Sequence, residues 1–98
     1  MTTIIIMKFK IAEGREKEFE TFVEERTRTI KKAPGFKQIY LLTPLGSKEY
    51  RLVSWWDKIP DHEAWVRKES YELAHNMKHA GLVIGTVPYE VAQVLKQW

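Results

Sequence analysis

Three histidines and one tryptophan late in the chain carry most of the chemistry that its residue types allow. His75 and His79 stand four apart, so on a helix they share a face, and Glu72 lies one turn earlier on that face. A Glu/His/His trio can hold a divalent metal. It falls short of the four ligands of a closed site, and the same spacing arises on ordinary solvated helix faces. His62, in Asp61-His62-Glu63, reads as an exposed residue at a helix start. Trp65 precedes His75 by ten residues. On one unbroken helix that offset sets them about 15 Å apart, too far to grip one small substrate together but within reach of a wide planar ligand. Ser70 between them offers a cap for a new helix, which would change that distance. Trp65 reads either as a core residue or as the wall of a pocket.

These residues need a frame, and the rest of the chain supplies one. Residues 3–11 are dominated by β-branched and apolar side chains and predict a strand. Residues 15–32 predict a helix, because Phe19, Phe22, Val23, Arg26 and Ile30 recur on one face. Pro34-Gly35 stops it. Residues 36–43 and 49–56 predict two strands joined by the turn-rich run Pro44-Leu45-Gly46-Ser47-Lys48. Pro60 suits the first turn of a second helix, with Asp61 and Glu63 at its positive end. A further short helix holds Tyr71, Ala74, His75 and Met77, Gly81 and Gly85 bracket its exit, and residues 86–96 predict a last strand with Pro88 near its start. The order βαββαβ over one domain, residues 1–98, predicts an α+β, ferredoxin-like fold, a four-stranded antiparallel sheet with helices on one face.

Both sheet faces are apolar. The first strand puts Ile5, Met7, Phe9 and Ile11 on one side and Ile4 and Ile6 on the other. The second splits into Phe36, Tyr40 and Leu42 against Ile39 and Leu41, and the last into Tyr89, Val91 and Leu95 against Ala92 and Val94. Two helices cover only one face, and a wet apolar face of this size is unfavourable. The expectation is a homodimer packed sheet to sheet into an α+β barrel.

Composition narrows the chemistry. The chain is 44% hydrophobic and 12% aromatic, enough for a core with aromatic side chains to spare for a flat ligand. The absence of cysteine removes disulfides, thiolate metal sites and cysteine nucleophiles. Neither a Gly-rich phosphate loop nor a Gly-x-Ser-x-Gly elbow occurs. The apolar run at the N-terminus is short for a signal peptide and no stretch is long enough for a membrane span, so the expected location is the cytoplasm. Net charge is +3, and Arg26 to Lys48 contains bases but no acid. Acids early and bases late in one helix complement its dipole, an anion site being the alternative. Without exposed aromatics interleaved, this run does not read as a nucleic-acid surface.

Three local features resemble the heme-degrading monooxygenases of the antibiotic biosynthesis monooxygenase superfamily. Ser54-Trp55-Trp56-Asp57 looks like that family's Trp-containing strand end. Trp65 follows nine residues after Trp56, where the family places a heme-contacting Trp. Leu73-Ala74-His75-Asn76 looks like its Ala-His motif. The resemblance implies heme as both cofactor and substrate, with His75 as axial ligand to iron, Trp65 pressing on the porphyrin, and O2 and an external electron donor as co-reactants. Basic residues would meet the propionates, with Arg26, Lys31 and Lys32 as candidates. One position departs. The family's strand-1 Asn, which hydrogen-bonds the oxygen-derived ligand on iron, corresponds to Met7 here, and a thioether donates no hydrogen bond. The resemblance therefore implies heme binding more strongly than heme degradation. Met7 either fills the pocket or places its sulfur opposite His75.

A second reading needs no heme. Other members of the superfamily oxidise polycyclic aromatics without metal or flavin, and a pocket with Trp55 or Trp56, Trp65 and Tyr71 suits a flat organic ligand. Tyr40, Tyr50 and Tyr89 are available hydroxyls, though lone strand tyrosines are usually packing residues. A third reading is a dimeric interaction module without catalysis.

Overall fold

The computed structural model describes residues 2–43, 45–46, 49–65, 67, 81–85 and 87–98. The elements run β1 (Thr3–Lys10), α1 (Glu16–Ile30), β2 (Phe36–Leu42), β3 (Glu49–Trp56), α2 (Ile59–Trp65) and β4 (Tyr89–Gln93). The strands form one sheet in the order β2-β3-β1-β4, antiparallel at every junction. This is the ferredoxin-like α+β arrangement that the sequence predicts. The short helix expected after Ser70, with Glu72, His75 and His79, lies outside the described residues.

Period-two alternation in β1 decides which face is covered. Ile5 and Phe9 are almost wholly buried, and Ile4 and Ile6, on the opposite side, are half-buried. The amphipathic stripe of α1 meets this face. Phe19, Val23 and Ile30 are its buried residues, and Phe19 stacks against Phe9 and Tyr50 with ring centroids 5.2 Å away in each case. Glu16 and Glu18 occupy the positive first turn, and Arg15 donates to Glu18. The helix ends at Ile30, two residues short of the expected boundary, and passes into a turn where the Ala33 amide donates to the Ile30 carbonyl.

One strand differs from the alternation read in the sequence. A register shift lies between Phe36 and Gln38, and such an extra residue reverses the parity of what precedes it. Phe36 therefore packs on the same face as Ile39, beside Trp56, and not with Tyr40 and Leu42, which are exposed on the other face. The last strand is also shorter than residues 86–96. Ahead of it, residues 82–84 run along the same edge of β1, with a bridge between Ile11 and Val83.

The end of β3 anchors α2. The Asp57 amide donates to the Gly35 carbonyl at 2.8 Å. Gly35 has a φ of 80°, and a side chain there would collide with the Asp61 carboxylate. The first turn of α2 thus rests on bare backbone, which fixes where its inner face points.

Candidate functional site

Between α1, α2 and the covered face of the sheet lies a cavity of about 520 Å³, within the usual range for small-molecule sites. Its floor is the sheet: Ile5, Met7 and Phe9 of β1, Leu52 and Ser54 of β3, Ile39 of β2, and Tyr89 and Val91 of β4. Val23, Arg26, Thr27 and Ile30 of α1 form one wall. Ile59, His62, Glu63 and Trp65 of α2, followed by Arg67, form the other.

Most of this lining is apolar, so its few polar groups stand out. Trp65 Nε1 is buried and has no hydrogen-bond partner among the described residues. Leaving a buried donor unmade costs about 1–3 kcal/mol. Thr3 Oγ1 is the other such atom, but Thr3 is not part of the cavity lining. Trp56 provides a contrast. Its ring is fully buried and its Nε1 donates to Ser54 Oγ at 3.0 Å. Ser54 is itself part of the cavity lining, and a hydroxyl that accepts keeps its own proton to donate.

His62 departs from its sequence reading. It is half-buried and lines the cavity. Its ring meets Trp56 edge-on at 5.3 Å and lies 6.4 Å from Trp65. Burial holds its pKa below the ordinary histidine value, and the neighbouring Glu63 opposes that only in part. The ring is therefore neutral at pH 7, with one nitrogen able to accept a hydrogen bond. The signal was in the sequence: Ile59, His62 and Trp65 recur every three residues and so share one helix face.

The other expected residues divide clearly. Trp65 and Met7 both line the cavity, whereas His75 lies outside the described residues. Neither neighbouring tryptophan of β3 is in the lining. Trp56 sits behind Trp65, and Trp55 projects to the opposite face, where Tyr40 packs edge-on against it at 5.3 Å. Of the three bases considered for an anion, only Arg26 lines the cavity. Its guanidinium lies over the Phe22 ring at 5.3 Å, while Lys31 and Lys32 are exposed beyond the helix end. Arg67 and Ser54 are cavity residues that sequence reasoning missed. Among the described residues, no group of three His, Asp or Glu side chains could hold a metal, and no helix is long and apolar enough to cross a membrane. The trio of Glu72, His75 and His79 lies outside them.

The arrangement offers a planar apolar body a floor on the sheet and walls on both helices, with His62 able to accept a hydrogen bond and Arg26 and Arg67 as the cationic groups of the lining. The family model described as antibiotic biosynthesis monooxygenase matches residues 2–77. Similar solved structures include SnoaB, a cofactor-independent oxygenase from Streptomyces nogalater, at 16% identity and a TM-score of 0.79 over 98% of this chain and 95% of that one. A heme-degrading protein from Mycobacterium tuberculosis matches at 21% identity and 0.73, over 100% of this chain and 96% of that one. A conserved protein from Methanosarcina mazei Go1 matches at 9% and 0.84, over 95% and 92%. Such identities establish a shared fold. Proteins of different chemistry share that fold, so the chemistry has to be read from the site.

Proposed function

Since this chain belongs to the antibiotic biosynthesis monooxygenase family, we propose that the cavity between its helices and sheet receives a flat aromatic ligand bearing an acidic substituent, the substrate of a monooxygenase reaction. The observation that carries this reading is the largely apolar cavity of about 520 Å³ itself, walled by Trp65 and His62 and flanked by Arg26 and Arg67. A planar aromatic body would pack on its apolar floor, and Arg26 and Arg67 would pair with the acidic group.

Heme is one member of that ligand class. The described residues suit its apolar plane and its propionates. In this form of the proposal His75 is the axial ligand, Trp65 a wall of the pocket and Met7 a neighbour on the sheet side. Bound heme would supply oxygen activation, drawing on O2 and an external electron donor. Met7 offers no hydrogen bond to an oxygen ligand, so this form favours binding over degradation. A hemin titration tests it. A saturable Soret shift that His75→Ala abolishes supports heme ligation, and absence of saturable binding removes heme from the proposal.

A smaller polycyclic aromatic, bound without heme, is the alternative, and the half-buried imidazole of His62 in the lining favours it. A quinone or phenol can hydrogen-bond that ring, whereas the porphyrin plane offers it no partner. Quenching of tryptophan fluorescence by anthraquinone-2-sulfonate tests this form. Saturable quenching should weaken about tenfold in Arg26→Ala, as expected for loss of a charge-assisted hydrogen bond. Failure of the wild type to bind either hemin or the sulfonate overturns the aromatic-pocket reading.

The uncovered sheet face, centred on Ile4, Ile6, Val53, Trp55 and Tyr40, is proposed to pack against a second copy of the chain. Sedimentation at micromolar concentration checks this, and a monomer there defeats it.

A further inference from the structure

The α1 wall of the cavity consists of Val23, Arg26, Thr27 and Ile30. Val23 and Ile30 are apolar, and the Thr27 hydroxyl is already engaged, donating to the Glu24 carbonyl at 2.7 Å. Arg26 is therefore the side-chain donor that this wall offers. Its guanidinium lies over the ring of Phe22, 5.3 Å from the centroid. Phe22 stands one turn earlier on α1, at the spacing where helix side chains meet. We propose that Phe22 is a positioning residue. Its ring holds the Arg26 guanidinium at the cavity wall with the N–H edge free, and so makes the pocket select a ligand bearing an oxyanion such as a carboxylate or sulfonate. The proposal rests on the aromatic-pocket reading and names what fixes the anionic end of the ligand.

The two contacts of Arg26 do not compete. A guanidinium stacks through its flat face and donates from its edge. Phe22 occupies a face, which leaves the edge for paired hydrogen bonds to an oxyanion. Among the described residues no carboxylate forms a salt bridge with Arg26. Phe22 is itself held, since it is half-buried and packs against the cluster of Phe9, Ile11, Phe19 and Val23. Support thus runs from the core to the ring and from the ring to the cation.

Arg67 is the contrast. It lines the same cavity but is exposed, and no ring of the described residues lies beneath its guanidinium. An unsupported arginine gives up rotamer freedom when an anion orders it. Arg26 has surrendered part of that freedom on folding, so it loses less on binding. The acidic group of the ligand belongs at α1, with Arg67 adding attraction from the other wall.

Anthraquinone-2-sulfonate and 2-(hydroxymethyl)anthraquinone test this, because they share one ring plane and differ in the charge of the substituent. Tryptophan quenching measures both. Phe22→Leu keeps an apolar side chain and removes the ring face, and Phe22→Tyr restores that face. A lost cation–π contact at a partly exposed site weakens sulfonate binding by about threefold in Phe22→Leu. Binding of the neutral alcohol should not change, and Phe22→Tyr should bind both probes as the wild type does. The ring current of Phe22 should move the Arg26 side-chain proton resonances upfield in the wild type and in Phe22→Tyr. That shift should vanish in Phe22→Leu, whose urea midpoint shows that it is folded. Absence of the shift in the wild type overturns the proposal without any variant. Equal weakening of both probes in Phe22→Leu also overturns it, since Phe22 would then act through packing alone. Tighter sulfonate binding in that variant overturns it as well, because the stack would be withholding Arg26. If Arg26→Ala loses the sulfonate and Phe22→Leu does not, Phe22 has no positioning role, although the pocket reading stands. If neither probe binds the wild type, the pocket reading fails with it.

Discussion

Trp56 and Trp65 pack against each other with ring centroids 6.1 Å apart, yet they belong to regions built on different terms. Around Trp56 everything is closed. Its ring is fully buried with Ile5 and Ile30, Phe36 meets it edge-on at 5.6 Å, and its N–H has an acceptor. Trp65 is only half-buried, its N–H has no acceptor among the described residues, and its ring borders a cavity. One side of this aromatic pair serves the fold, and the other borders the cavity proposed to receive a ligand. Stability and ligand affinity should therefore respond oppositely to substitutions only one ring apart.

The largest stability effect is expected at Trp56. Truncation to Ala removes a fully buried indole and leaves a hole beneath His62 and Trp65, at a cost of about 3–5 kcal/mol. Urea denaturation should show the midpoint falling by a large fraction. Ser54→Ala comes next. It leaves the Trp56 N–H buried without a partner, which costs about 1–3 kcal/mol, and it also removes a donor from the cavity floor. Trp65→Phe should reverse the pattern. The substitution deletes an unsatisfied donor while keeping an aromatic ring, so stability should stay within about 1 kcal/mol of wild type. Affinity for anthraquinone-2-sulfonate should drop several-fold. A Trp65→Phe protein as destabilised as Trp56→Ala would mean that both rings are core and would erase the distinction.

The sequence exposes the closed region better than the open one, for physical reasons. Strand β1 was legible because Ile5, Phe9 and Ile11 alternate without interruption, and α1 because Phe19, Val23 and Ile30 repeat at helical spacing. Strand β2 was misread at one residue. A bulge carries no compositional mark in Phe36-Lys37-Gln38, yet it moves Phe36 to the covered face. Trp65 and Met7 were legible as residues of the cavity, and Arg26 as one of three candidate bases. Choosing Arg26 required knowing where α1 ends. Trp55 and Trp56 could not be sorted without the register of β3, which sends one to each face. His62 was hidden by its neighbours, since Asp61 and Glu63 make it look like part of a solvated helix start. Only the three-residue spacing to Ile59 and Trp65 betrays the inner face.

The smallest expected effect tests His62 in the absence of ligand. Its pKa in the folded protein lies below the ordinary value near 6.5, chiefly because burial penalises the imidazolium. Between those two values the unfolded chain binds more protons than the folded one, so stability rises with pH across that interval. The contribution is complete above about 6.5 and is lost as pH falls through the folded-state value. The wild type should lose stability on acidification through this window, beyond what its carboxylates produce at lower pH. His62→Gln, which cannot titrate, should lack that component. Urea midpoints at pH 7.5 and at pH 5.5 for both proteins isolate the difference, which should be modest because the ring is only half-buried and water screens part of its charge. Equal slopes in the two proteins would mean that His62 pays no burial penalty. It would then be a solvent-accessible imidazole at the cavity rim, and the contrast between a closed Trp56 side and a poised Trp65 side would rest on the orphan indole alone.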